Sequence, residues 1–166
     1  MKNQVELNLS EKKTSGSGLY SLYIKATEGI GCKVLKNDIM EDAKNEADAE
    51  YNILKLAYAS GITPKPMGVF KVIINLYGDK KAERWCICME NIQGETLEEY
   101  CRRLGLHHSE VVYEGKELSC YCTDAMSDVG IDIGDRHSGN IMVTTDDDDN
   151  ITKVYCIDFS PDYACA

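Results

Sequence analysis

The chain has 166 residues, enough for one domain or two small lobes and for a hydrophobic core that needs no covalent staples. Its hydrophobic content of 43% excludes an intrinsically disordered polymer. The net charge of −10 is uneven: residues 1–90 carry 13 Lys+Arg against 12 Asp+Glu and residues 91–166 carry 5 against 16, so the second half would repel nucleic acid.

The N-terminus, Met1 to Glu6, lacks the apolar stretch of a signal peptide, and no apolar run is long enough to cross a bilayer. A cytoplasmic location is the expectation. Ser10 to Gly18 is polar and rich in Gly and Ser, which predicts a loop. Leu19–Thr27 and Gly29–Leu35 read as strands on either side of a Glu28-Gly29 turn. Glu41–Ser60 has helical period, with an apolar stripe of Ala43, Ala47, Tyr51, Leu54, Ala57 and Tyr58, and Gly61 is placed to cap it. Thr63-Pro64-Lys65-Pro66 forces an extended connector. Val69–Tyr77 and Arg84–Met89 read as two strands joined by a turn at Gly78-Asp79-Lys80-Lys81.

Asn91-Ile92-Gln93-Gly94 reads as a linker. Helices are predicted at about Thr96–Leu104 and Glu117–Ser127, then strands at Ile141–Thr145 and Ile151–Ile157. Asp146 to Asn150 is the turn between those strands; it lacks the central Gly and terminal Glu of an EF-hand loop. The eight cysteines read as reduced thiols that pack as small hydrophobes. Cys86/Cys88 and Cys120/Cys122 are Cys-x-Cys pairs, not the Cys-x-x-Cys of zinc ribbons, and strand parity puts Cys86 and Cys88 on one face as packing.

The chemistry concentrates in Gly134-Asp135-Arg136-His137-Ser138-Gly139-Asn140 and in Ile157-Asp158-Phe159. Phosphoryl transfer asks little covalent work of a protein: a group near the attacking hydroxyl, and oxygen ligands that hold magnesium against phosphates. Asp135 fits the first task, and Asn140 and Asp158 fit the second, brought opposite each other by a hairpin. In the first half, Gly31 and Lys33 share a strand face, which leaves room for a nucleotide beside the ammonium. Glu50 falls inside the apolar stripe of the helix, where a carboxylate needs a partner, and Lys33 on the neighbouring strand is the obvious one.

Asp-x-x-x-x-Asn followed by Asp-Phe resembles the signature of the protein-kinase-like superfamily. The fuller Gly134-Asp135-Arg136-His137-x-x-Asn140 looks most like the catalytic loop of the phosphatidylinositol 3- and 4-kinases, with similarity also to the RIO-like and aminoglycoside-phosphotransferase branches. The resemblance implies an α+β, protein-kinase-like fold. Residues 1–90 would be an N-lobe, an antiparallel sheet with one main helix. Residues 91–166 would be a truncated, mostly helical C-lobe carrying a β-hairpin. It implies ATP and Mg²⁺ as cofactors, Asp135 as the catalytic carboxylate, and His137 as a second candidate base or a scaffold. Gly16-x-Gly18-x-x-Ser21 resembles the glycine loop over the phosphates. Lys33 matches the phosphate-binding lysine, with Lys36 the alternative, and Glu50 matches its helix partner. Backbone groups from about Glu90 to Ile92 would meet the adenine edge.

The sequence departs from the family after Asp158-Phe159: Ser160 stands for the glycine, and only Pro161 to Ala166 follow. The expected consequence is a minimal kinase that lacks most of the substrate platform, with apolar C-lobe surface open to a protein partner, a protein substrate or a second copy. Three readings follow: a kinase acting on protein Ser/Thr or on itself, a small-molecule or lipid kinase, and an ATP-holding pseudokinase or ATPase switch. The acidic second half disfavours an anionic membrane substrate.

Overall fold

The computed structural model describes residues 4–8, 14–17, 21–27, 29–36, 40–75, 81–132 and 138–158. They group into two compact units, one of Met1–Asn52 with Lys65–Asn91 and one of Ile53–Pro64 with Ile92–Ala166.

The first unit is built on strands β1 (Gln4–Asn8), β2 (Thr14–Ser17), β3 (Ser21–Thr27) and β4 (Ile30–Leu35), helix α1 (Met40–Ala57) as far as Asn52, and strands β5 (Pro66–Asn75) and β6 (Lys81–Glu90). The strands form one six-stranded sheet in the order β1-β5-β6-β4-β3-β2. The β2–β3, β3–β4, β4–β6 and β5–β6 pairs are antiparallel, whereas β1 lies parallel to β5 at the edge. Alternating side chains of these strands meet on one face: Ile24, Cys32, Val34, Val72, Ile74 and Cys86 form a buried cluster flanked by Ile30, Phe70 and Cys88.

Two strands of this unit differ from the sequence reading. Thr14–Ser17 was expected in a loop and is a strand, because β3 offers it a pairing edge that overrides weak local propensity. Gln4–Asn8 was not read as a strand, although Val5 and Leu7 alternate with Gln4, Glu6 and Asn8; it pairs with Lys71–Asn75 far along the chain. The predicted turn at 78–81 lies outside the described residues except Lys81, which opens β6 opposite Asn75.

Helix α1 ends in a 3₁₀ turn, Tyr58–Ser60, capped by Gly61 at φ 77°, whose N–H bonds the Tyr58 carbonyl. Ala43, Ala47, Leu54 and Ala57 of the expected stripe are buried, and Ile53 joins them. Tyr58 does not: it is exposed, because the switch to a 3₁₀ turn rotates it off the stripe.

The second unit carries β7 (Glu95–Thr96), α2 (Leu97–Leu104), β8 (Val112–Tyr113), β9 (Lys116–Glu117), α3 (Leu118–Ser127), β10 (Ile141–Thr145) and β11 (Ile151–Cys156). Strands β11-β10-β7 form one small sheet and β8-β9 a two-stranded hairpin. Leu97, Leu118, Cys122, Met126, Val143 and Val154 are among its buried side chains. Arg103 ties α2 to the turn after β10 through Asp149, and Tyr100 donates to the Asp149 carbonyl. Asp146 accepts hydrogen bonds from the Asp148 and Asn150 backbones and from the Asn150 side chain, which hold its carboxyl below the usual range. The run of aspartates therefore builds a turn, as expected. No helix among the described residues is long and apolar enough to cross a membrane.

Helix α2 begins with a reciprocal cap. The Glu99 N–H donates to the Thr96 hydroxyl at 3.2 Å, and the Thr96 N–H donates to the Glu99 carboxylate at 2.8 Å. Thr96→Ala should destabilise the chain by about 1 kcal/mol, read from the urea midpoint at unchanged m-value.

Candidate functional site

The first group of side chains lies on the β4–β6 face opposite the thiol-lined cluster. Parity places Gly31 and Lys33 of β4 together there, with Ile87 and Met89 opposite them on β6. The Lys33 ammonium donates to the Glu50 carboxylate at 2.5 Å, and the two side chains are only 15% and 9% exposed. The pair anticipated from the helix stripe is formed. Its reason is local: α1 must bury the face that holds Ala43, Ala47 and Leu54, and Glu50 shares that face. Lys33 is the lysine that meets the helix carboxylate, and Lys36, which follows the end of β4, is exposed.

The room expected beside Gly31 is filled. Tyr23 on β3 is the cross-strand partner of Lys33 and lies over Gly31, where an added methyl would collide with its hydroxyl. That hydroxyl makes a long hydrogen bond, 3.4 Å, to the side chain of buried Asn91. Burial, aided by the Cys32 and Cys88 thiols, raises the phenol to about 12. Neither Tyr23 nor Asn91 was singled out in the sequence. A tyrosine in a strand announces nothing until the β3–β4 register is known.

Two N–H groups of the segment expected to meet an adenine edge make internal bonds. The Glu90 N–H donates to the Lys65 carbonyl at 2.9 Å, and the Asn91 N–H donates to the Gly29 carbonyl at 3.0 Å. The Glu90 carboxylate accepts from the Lys65 N–H, so its side chain has a structural task that the sequence did not disclose. Ile92 is buried at the start of the second unit's main segment. Gly16 sits in β2 opposite Tyr23, and Gly18 lies outside the described residues.

The second group lies at one end of the β10–β11 hairpin. The register pairs Ile141 with Cys156, and the Ile157 N–H donates to the Asn140 carbonyl at 2.8 Å. Asn140, the last residue of a 3₁₀ turn, is thereby set beside the backbone that leads into Asp158. Asp158 is exposed and has φ 93°, a conformation that costs a non-glycine residue about 1 kcal/mol or more. A carboxamide and a carboxylate at one hairpin end are hard oxygen donors, the type that suits Mg²⁺. Asp135 and His137, with Gly134 and Arg136, lie outside the described residues, as do Phe159 and Ser160.

No family model matches the chain, and no curated protein matches it in sequence. Solved structures do match. Against Rad53 residues 1–466 in complex with AMP-PNP, the chain is 20% identical with a TM-score of 0.51, covering 89% of this chain and 37% of that one. Against WbdD bound to the kinase inhibitor LY294002 it is 16% identical with a TM-score of 0.48, covering 86% and 31%. The chain thus spans about a third of the length of the structures it matches. The fold is α+β and protein-kinase-like.

Proposed function

We propose that the chain is an ATP-dependent phosphotransferase that moves the γ-phosphoryl group onto a hydroxyl of a protein or of itself. The observation that carries this reading is the Lys33–Glu50 pair: a lysine held inside the sheet by a helix carboxylate, in a protein-kinase-like fold. Lys33 would contact phosphate oxygens, with Glu50 fixing the ammonium in place. Asn140 and Asp158 would hold Mg²⁺, which when bound offsets the charge of the phosphates. Asp135 would accept the proton of the acceptor hydroxyl as its oxygen bonds to phosphorus and the bond to the ADP oxygen breaks; His137 would support that loop. Gly16 and Gly18 would let the backbone approach the phosphates, and the backbone near Glu90 and Ile92 would meet the base. Residues 1–90 would serve as the nucleotide-covering lobe and 91–166 as the catalytic one. The AMP-PNP in the Rad53 structure supports a nucleotide as the ligand class. Exposed Leu104, Leu106 and Val112 support a protein surface as partner.

The test is label transfer from γ-labelled ATP with magnesium to the chain itself or to a generic protein substrate. Asp158→Gly is the informative variant, because glycine suits the positive φ and leaves the hairpin intact. Transfer should fall by at least about 100-fold. Transfer that survives in this variant defeats the assignment of Asp158.

A second reading is an ATP-holding regulatory module or ATPase switch; in either reading a base on the Gly31 face must displace Tyr23. Phosphate release without transfer would select that reading.

A further inference from the structure

The sheet of the first unit holds a thiol group that the phosphotransfer reading does not use. Cys32 on β4 stands directly opposite Cys88 on β6, and Cys86 lies two residues away on the same face. The Cys32 and Cys88 sulfurs are 3.1 Å apart, the Cys86 and Cys88 sulfurs 3.8 Å, and all three lie within 4.8 Å of one another. Three sulfurs bound to one metal at about 2.3 Å stand about 4 Å apart, so small side-chain adjustments would suffice. Packing alone explains one or two cysteines in a sheet core. It does not require three sulfurs to converge on one point from two strands.

We propose that Cys32, Cys86 and Cys88 form a site for a soft d¹⁰ metal ion, copper(I) above zinc. Three soft sulfur donors select copper(I). Structural zinc is almost always four-coordinate, and no His, Asp or Glu among the described residues completes this group. A water has no easy path to the fourth position, because Cys32 and Cys86 are 3% and 0% exposed among Ile24, Val34, Val72 and Ile74. Cys32 and Cys86 are too buried for peroxide-sensing thiols, which must be reachable. Half-buried Cys88 is the point of entry. As the ion binds, each sulfur that forms a bond to it releases its proton to solvent, with no change of oxidation state. The metal would staple β4 to β6, the strands that carry Lys33 and Glu90.

The experiment titrates the full reduced chain with copper(I) supplied as its bicinchoninate complex. Thiolate-to-copper absorption and melting temperature are followed, and zinc sulfate is titrated in parallel. One copper per chain, a raised melting temperature and weaker zinc binding are expected. Cys32→Ala, Cys86→Ala and Cys88→Ala should each weaken copper binding by at least about 100-fold, since even outer-sphere partners of a metal are worth 10–100-fold. Cys120→Ala, at an exposed position, should leave it unchanged. Circular dichroism of each variant without copper separates loss of the site from loss of the fold, and for an unfolded variant Cys→Val at that position replaces it. Copper binding that survives in a folded Cys32, Cys86 or Cys88 variant, that follows Cys120, or that is matched by zinc, overturns the proposal. So does a folded chain that fails to take copper from bicinchoninate.

Discussion

Glu50→Ala should cost the chain about 2–3 kcal/mol of stability and lower phosphotransfer by about 100-fold. The first effect follows from burial. With Glu50 shortened, the Lys33 ammonium is left in an apolar setting without the carboxylate it touches. The usual cost of removing one partner of a buried pair is 3–5 kcal/mol. The figure here is lower because Lys33 retains 15% exposure and a stem able to lift its charge toward water. The second effect follows from position, since an ammonium that swings away no longer meets a phosphate. A double variant separates the two. Lys33→Met with Glu50→Leu replaces the ion pair by apolar side chains, and stability should return to within about 1 kcal/mol of the parent. Activity should not return. Urea unfolding and label transfer on the same three proteins give both readouts. A double variant that transfers phosphate as well as the parent would show that the pair is architectural only.

The Lys33–Glu50 pair was legible in the sequence because it breaks a local rule: a carboxylate inside an apolar helical stripe demands a partner, and Lys33 on the neighbouring strand was the obvious candidate. The hairpin that sets Asn140 beside Ile157 was legible for a related reason. Alternating strands around an Asp- and Asn-rich turn leave one register that keeps Val143 and Val154 inside. What the sequence hid depends on register between distant strands. Strand β1 finds its partner only once β5 exists: the alternation of Val5 and Leu7 with polar residues suits a strand but names no partner. Parity placed Cys86 and Cys88 on one face, but nothing local brings Cys32 opposite them. That takes the β4–β6 alignment.

Tyr23 is the sharpest case of register deciding chemistry. Parity correctly puts Gly31 and Lys33 on one face, but the space beside a glycine belongs to whichever neighbour reaches it first. Tyr23 reaches it from β3, gains burial on the glycine backbone, and closes the gap with a bond to Asn91. A nucleotide base placed on that face competes with the phenol. If Tyr23 covers Gly31 in about nine molecules of ten, apparent nucleotide affinity is reduced about tenfold, because only the uncovered fraction binds. Tyr23→Val should therefore tighten binding of magnesium-ATP by about tenfold, measured by calorimetry or by the shift in melting temperature. Gly31→Ala attacks the same contact from the other side. Its methyl cannot coexist with the hydroxyl where it lies, so the ring must leave at a cost of about 1–3 kcal/mol in stability. The Tyr23 phenol should then titrate near its ordinary value of 10, down from about 12, as burial is lost. The sign of that change matters for stability. A phenol whose value is raised by folding contributes stability that is complete below pH 10 and fades as pH climbs toward 12. The parent should lose stability across that alkaline window, and Gly31→Ala should lose less there. Unchanged nucleotide affinity in Tyr23→Val, with the ring shown to have been displaced in Gly31→Ala, would mean that the base lies elsewhere.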